Sequence, residues 1–127
     1  MPPETIRRRP DFLAANQGRR APMPGFVLLV RERGDESGAM RVGFTVTKKI
    51  GNAVVRNRMK RRLRALAREV LPDSGLAGAD HVLIGRNGGI ERDYADLRRE
   101  LAKALGKVKA GHSAPARPPG KRPAGKR

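Results

Sequence analysis

A chain of 127 residues has room for one domain with a single modest core plus tails, and its charge of +17, from 29 Lys and Arg against 12 Asp and Glu, exceeds what solubility requires and attracts polyphosphate backbones or anionic membranes, nucleic acid being the better match. The absence of cysteine excludes disulfides and Cys-ligated metal sites; three Phe, one Tyr and no Trp exclude a stacking platform for several bases, so charge and shape must carry most of the binding. No apolar run approaches the ~18 residues of a spanning helix, and an N-terminus with Glu4 and three consecutive Arg lacks a signal peptide's apolar core, so a cytoplasmic protein with no membrane partner is expected.

Residues 1–8 read as a loose basic lead-in. Pro10 suits the first turn of a short helix running to about Gln17, with Phe12 and Leu13 as its apolar side chains. The turn-rich stretch 18–25 has room for a short strand around Arg20. The apolar run FVLLVRE, 26–32, is a buried strand, with an exit loop at 34–38. In the next strand, 40–47, Val42, Phe44 and Val46 alternate with Arg41, Gly43, Thr45 and Thr47, giving one core face and one open face. The small residues of the open face either accept an RNA strand lying across the sheet or form an ordinary solvent surface.

From residue 37 to residue 68 the chain carries ten Lys or Arg and no acid, most densely in KKIGNAVVRNRMKRRLRALAR, 48–68. Asn52 can cap the helix that follows Gly51. Met59, Leu63, Leu66 and Val70 form an apolar stripe, with Asn57, Lys60, Arg61, Arg64 and Arg68 opposite and Arg58 and Arg62 on a flank with Glu69. Arg56/Lys60, Lys60/Arg64 and Arg64/Arg68 are like-charged pairs at i, i+4, each destabilising by roughly 0.2–0.5 kcal/mol, and cations near the N-terminal end oppose the macrodipole. An anionic partner removes that penalty.

Residues 72–78 end this helix, and HVLIG, 81–85, is a short buried strand. The loop 86–89, Arg-Asn-Gly-Gly, either offers N–H groups to phosphate or is a plain turn; it lacks the spacing of any phosphate-binding motif. Asp93 is a candidate N-cap for a last helix through Leu105, in which Leu97, Leu101 and Leu105 face the core. From Gly106 the composition turns to Pro, Gly, Ala, Lys and Arg, which reads as a disordered basic tail that adds diffuse RNA affinity or solubility. The domain is therefore expected at 9–105 and the tail at 106–127.

The stretch RVGFTVTKKIGNAVVRNRMKRRLR, with Arg-Asn-Arg at 56–58, Lys-Lys-x-Gly at 48–51 and then Lys60, Arg61 and Arg64, resembles the signature of the bacterial ribonuclease P protein subunit. The resemblance extends through Ile6, the basic residues 7–9, Asp11-Phe12, the strands at 26 and 81–85, and Arg86, over roughly residues 5–105. It implies a two-layer α/β (α+β) sandwich in the order α-β-β-β-α-β-α, similar to a domain of a ribosomal protein, with a left-handed β-α-β crossover that is exceptional for such units.

The resemblance further implies that an RNA subunit, with Mg²⁺ bound mainly by that RNA, removes the 5′ leader of precursor transfer RNA. The protein then holds the leader between the first helix and the sheet and helps order metal ions. Phe12, Thr45, Arg56, Lys60, Arg61 and Arg64 match leader-binding positions, and Lys48, Lys49, Asn57, Arg58, Arg62 and Arg68 match the side facing the catalytic RNA. The implied partners are ribonuclease P RNA and precursor transfer RNA, with no obligate protein partner. Family members often carry a second aromatic on the first helix and a Tyr on the strand after it, where this chain has Asn16 and Val30, so leader stacking is expected to be weaker.

The chain's own chemistry agrees with an RNA catalyst. Phosphodiester hydrolysis needs a metal-activated water or a positioned base, and no carboxylate cluster or paired histidines stand out. Asp73 and Asp80 flank a loop, Asp93 and Asp96 suit helix capping, and His81 and His112 are structural or solvated, so neither a catalytic residue nor a metal site is assigned to the protein. The competing readings are a structural RNA-binding protein, such as a ribosomal component, and a nucleoid-type DNA binder.

Overall fold

A run of five apolar residues can be buried on both faces of a strand only where layers cover both sides of the sheet, and Phe26–Val30 meets that condition. The computed structural model describes residues 3–34 and 38–110. Its elements are β1 (Glu4–Thr5), α1 (Arg9–Ala15), β2 (Arg19–Pro22), β3 (Phe26–Glu32), β4 (Arg41–Thr45), α2 (Ala53–Ser74), β5 (Ala79–Gly85) and α3 (Tyr94–Lys109), with single 3₁₀ turns at Lys48–Ile50 and Asn87–Gly89. The five strands are ordered β1-β4-β5-β3-β2. β5 pairs antiparallel with β3 and parallel with β4, so α2 is the crossover of a parallel β4-α2-β5 unit.

Alternation along β3 assigns its side chains. Phe26, Leu28 and Val30 join the main core with Met59, Leu63, Leu66 and Val70 of α2 and Leu97, Leu101 and Leu105 of α3. Val27 and Leu29 join Ile6, Ala15 and Val82 in a second cluster, against which Phe12 of α1 packs. The order of elements and both helical stripes follow the sequence expectation, and Asn52 caps α2, its Oδ1 accepting from the Val55 N–H at 3.0 Å. Asp93 occupies the N-cap position of α3 without a side-chain cap bond.

The boundaries differ in ways that packing explains. The loose lead-in contains β1, which pairs parallel with β4 at Arg41 and Val42, because Ile6, only 3% exposed, anchors it in the second cluster. The strand expected to reach Thr47 ends at Thr45, and α2 runs through Pro72 to Ser74, since Pro there removes only a last-turn hydrogen bond. α3 continues past Gly106 because Val108, buried in the main core, extends the stripe of Leu101 and Leu105. Of the expected tail, 106–109 thus belongs to α3, and 111–127 lies outside the described residues.

Asp80, expected beside a loop, lies inside β5 with a fully buried side chain. Its carboxylate accepts a bidentate pair from Arg41 Nε and Nη2, both at 2.7 Å, and a third bond from Arg33 Nη1 at 2.9 Å. Arg41 also reaches Asp11 of α1 at 3.4 Å, so this cluster ties β5, β4 and α1. Burial pushes the Asp80 carboxyl up, but the bonds from Arg41 and Arg33 reverse this and hold it below the usual carboxylate range; Asp80 in turn raises Arg41.

Next to it, His81 is fully buried. One ring nitrogen, Nε2, accepts from the Leu76 N–H at 3.1 Å, which leaves Nδ1–H to donate to the Arg41 carbonyl at 3.1 Å. Burial lowers its pKa and keeps the ring neutral. Both groups are structural.

Removing one partner of a buried pair leaves the other charge uncompensated and costs about 3–5 kcal/mol. Asp80→Ala is therefore expected to lower the free energy of urea unfolding at pH 7 by that amount. Because Asp80 is depressed in the folded state, its contribution is complete above about pH 4 and is lost as pH falls through its folded value. His81 acts higher: unfolding takes up a proton there, so stability declines as pH drops below about 6.5, and His81→Gln is expected to abolish that slope.

Candidate nucleic-acid interface

With its apolar stripe turned to the sheet, α2 must present its remaining side chains outward. Asn57, Arg58, Arg61, Arg64 and Arg68 are exposed there, and Arg56 and Lys60 are half-buried. Lys48 and Lys49 stand exposed on the 3₁₀ turn before the helix. Among the described residues none of these cations makes an ion pair. The carboxylates that form ion pairs serve other arginines: Asp80 holds Arg33 and Arg41, Asp11 reaches Arg41, Glu69 holds Arg98, Glu100 holds Arg92 and Asp96 holds Arg99. Arg56 goes further, its Nε shielded from solvent without a hydrogen-bond acceptor, and a buried donor in that state gains from any incoming anion.

The open face of β4 is partly filled by the protein itself. A Cβ built on Gly43 would lie 2.5 Å from the Phe12 ring, so glycine is what lets the Phe12 ring lie over the strand. β1 covers β4 only at Arg41 and Val42, and beyond them a cleft of about 420 Å³ opens, lined by Arg7, Arg9, Phe12, Phe44, Thr45 and Lys60, with Val46. Three residues expected at the leader, Phe12, Thr45 and Lys60, meet in this cleft.

The other expected residues are distributed around it. Arg64 stands over the Phe44 ring, 6.0 Å from its centroid, within range of a cation–π contact. Arg64 and Arg68 border a neighbouring hollow of about 140 Å³ with Pro3, Thr5 and Phe44. Arg56 and Arg61 do not line the cleft. Lys48, Lys49, Asn57 and Arg58 are exposed at the N-terminal end of α2 and on the turn before it, where Val54, 76% exposed, accompanies them.

Arg62 departs from the expectation of an RNA contact. Its guanidinium donates to the carbonyls of Gly89 and Ile90, both at 3.1 Å, and to that of Arg92, so it is a tie between α2 and the segment before α3. Glu69, on the same flank as Arg58 and Arg62, accepts from Tyr94 and Arg98. The loop after β5 is a plain turn packed on the chain before β3: Arg86 donates to the Met23 carbonyl at 3.0 Å, and a Cβ on Gly88 would meet the Pro24 carbonyl at 2.4 Å.

Val30 also needs correction as a cleft position. It faces the α2–α3 core, and Leu29 is the β3 residue in the cluster that receives Phe12. Arg7, Arg9 and Phe44 were missed at sequence level. The two arginines lay in a segment without periodicity, and alternation gave Phe44 to the core without showing that the strand edge beside it is bare.

An α/β domain whose cationic helix face is unpaired among the described residues, beside a cleft between an aromatic and a sheet edge, has the charge and shape that a nucleic acid requires. The ribonuclease P family model matches residues 2–109. The ribonuclease P protein component of Erythrobacter litoralis is 58% identical over 115 residues, covering 91% of this chain and 93% of that protein; that of Gluconacetobacter diazotrophicus is 52% identical over 104 residues, covering 78% and 89%. The RNase P protein from Thermotoga maritima superposes with a TM-score of 0.69 at 29% identity, covering 83% of this chain and 97% of that one. The chain belongs to the ribonuclease P protein family.

Gly43→Ala is expected to displace Phe12 and to cost about 1–3 kcal/mol of stability through overpacking. In a Phe12→Ala background the same substitution should cost much less, and a double-mutant cycle in urea measures the coupling.

Proposed function

We propose that this chain is the protein subunit of ribonuclease P, which binds the catalytic RNA and the 5′ leader of precursor transfer RNA and promotes Mg²⁺-dependent endonucleolytic removal of that leader. The observation that carries this reading is the set of cations on α2 and its preceding turn that lack carboxylate partners among the described residues, set beside a cleft with an aromatic wall. In this reading Lys48, Lys49, Asn57, Arg58 and Arg68 face the catalytic RNA. Phe12, Thr45, Arg56, Lys60, Arg61 and Arg64 face the leader, and Arg62 holds the helix in place.

In this reading bond breaking belongs to the RNA subunit, and Mg²⁺ held mainly by that RNA would supply an activated water. The protein lowers repulsion between two polyanions at their junction, so less Mg²⁺ is needed to hold them together. It works in the cytoplasm without an obligate protein partner. No observation favours a purely structural role, which would share the charge but not require a leader cleft.

Reconstitution tests the reading. At low Mg²⁺ the protein is expected to restore precursor cleavage by a competent catalytic RNA, and absence of stimulation refutes the assignment. Phe12→Ala should weaken binding of precursor more than of mature transfer RNA, and equal losses would remove Phe12 from the leader site.

A further inference from the structure

Phe44 stands where the two hollows meet. It lines the 420 Å³ cleft together with Phe12, Thr45 and Lys60, and it lines the smaller hollow together with Arg64 and Arg68. This dual position follows from the sheet. β1 stops at Thr5, opposite Val42, so the last residues of β4 form a free edge. Phe12 reaches this edge from the α1 side over Gly43, and Phe44 reaches it from the α2 side, half-buried against the main core.

The surroundings define the occupant. Among the described residues the lining of both hollows contains Arg7, Arg9, Lys60, Arg64 and Arg68 and no carboxylate, so an anionic chain is admitted on either side of the ring. An occupant that needs cations along its length and a flat apolar surface at one point is a single-stranded nucleic acid with an unstacked base. Packing against the main core places the Phe44 ring at the boundary, and Arg64, 6.0 Å from its centroid, supplies a cation beside it.

We propose that Phe44 is a base-contacting residue. A nucleotide of the single-stranded leader rounds the free edge of β4 with its base against Phe44, and the strand continues from the cleft into the smaller hollow at Arg64. The inference rests on the leader assignment above and extends it by a residue and a path. It gives the cleft a second aromatic beside Phe12.

The test uses the full-length protein in the reconstituted holoenzyme with three ligands: precursor transfer RNA, the same precursor with abasic leader nucleotides, and mature transfer RNA. Phe44→Leu keeps an apolar side chain against α2 and removes the aromatic ring. It is expected to weaken precursor binding about fivefold or more, the lower end for one base on an aromatic ring. Mature transfer RNA should bind the variant unchanged, Phe44→Trp should retain precursor affinity, and urea unfolding should show each variant folded.

With the abasic leader the difference between wild type and Phe44→Leu should vanish. The proposal is overturned if Phe44→Leu binds precursor as wild type does, if mature transfer RNA suffers the same loss, or if the loss persists with the abasic leader. A wild-type holoenzyme with no preference for precursor over mature transfer RNA would overturn the leader assignment itself, a result distinct from an intact preference that Phe44→Leu leaves untouched.

Discussion

Arg56, Lys60, Arg64 and Arg68 follow one another at four-residue steps on α2, and none has a carboxylate partner among the described residues. Like charges at this spacing repel, and no acid lies in the helix's first turn to offset the cations near its N-terminal end. The helix persists because its other face buries Met59, Leu63, Leu66 and Val70 against the sheet and α3, since tertiary packing outweighs propensity in most protein helices. The domain thus holds a set of cations in a fixed array at some cost to itself. Placement of the acids completes the arrangement: Asp80, Glu69, Glu100 and Asp96 are each committed to arginines outside that face.

The cleft is a second consequence of how little covers β4. Two residues of β1 protect its first half, the Phe12 ring lies over Gly43, and the edge beyond is left open. Arg41 links this region to the buried Asp80 and to Asp11 of α1. The orientation of α1, and with it the position of Phe12, therefore depends on an ion cluster at one end of the sheet and on the absence of a side chain at Gly43. In the proposed complex, phosphate contacts along α2 would position the nucleic acid, and the aromatic edge would add contacts that depend on unstacked bases.

Much of this was legible in the sequence wherever a periodic signal existed. The stripes of α2 and α3, the cap at Asn52, the continuous apolar run of β3 and the segregation of charge all follow from residue spacing. What escaped depends on partners distant in the chain. Arg62 is indistinguishable from its neighbours by type, and its carbonyl partners lie 27, 28 and 30 residues away. Asp80 looked like a loop acid because its arginines are 39 and 47 residues distant. β1 has two residues, too few for any periodicity, and Gly43 shows only that space exists, not that Phe12 fills it. The choice between Val30 and Leu29 turns on one step of alternation, which the two core clusters fix.

The salt dependence of binding to the catalytic RNA tests the central claim most directly, because a rigid array of unpaired cations releases counterions in proportion to the phosphates it meets. If α2 and its preceding turn neutralise about six to eight phosphates, log K falls with log salt at a slope of roughly −4 to −7, at about −0.7 to −0.9 per contact, and Arg58→Ala flattens that slope by about one unit. A slope near zero, or one that Arg58→Ala leaves unchanged along with the affinity, would contradict the account.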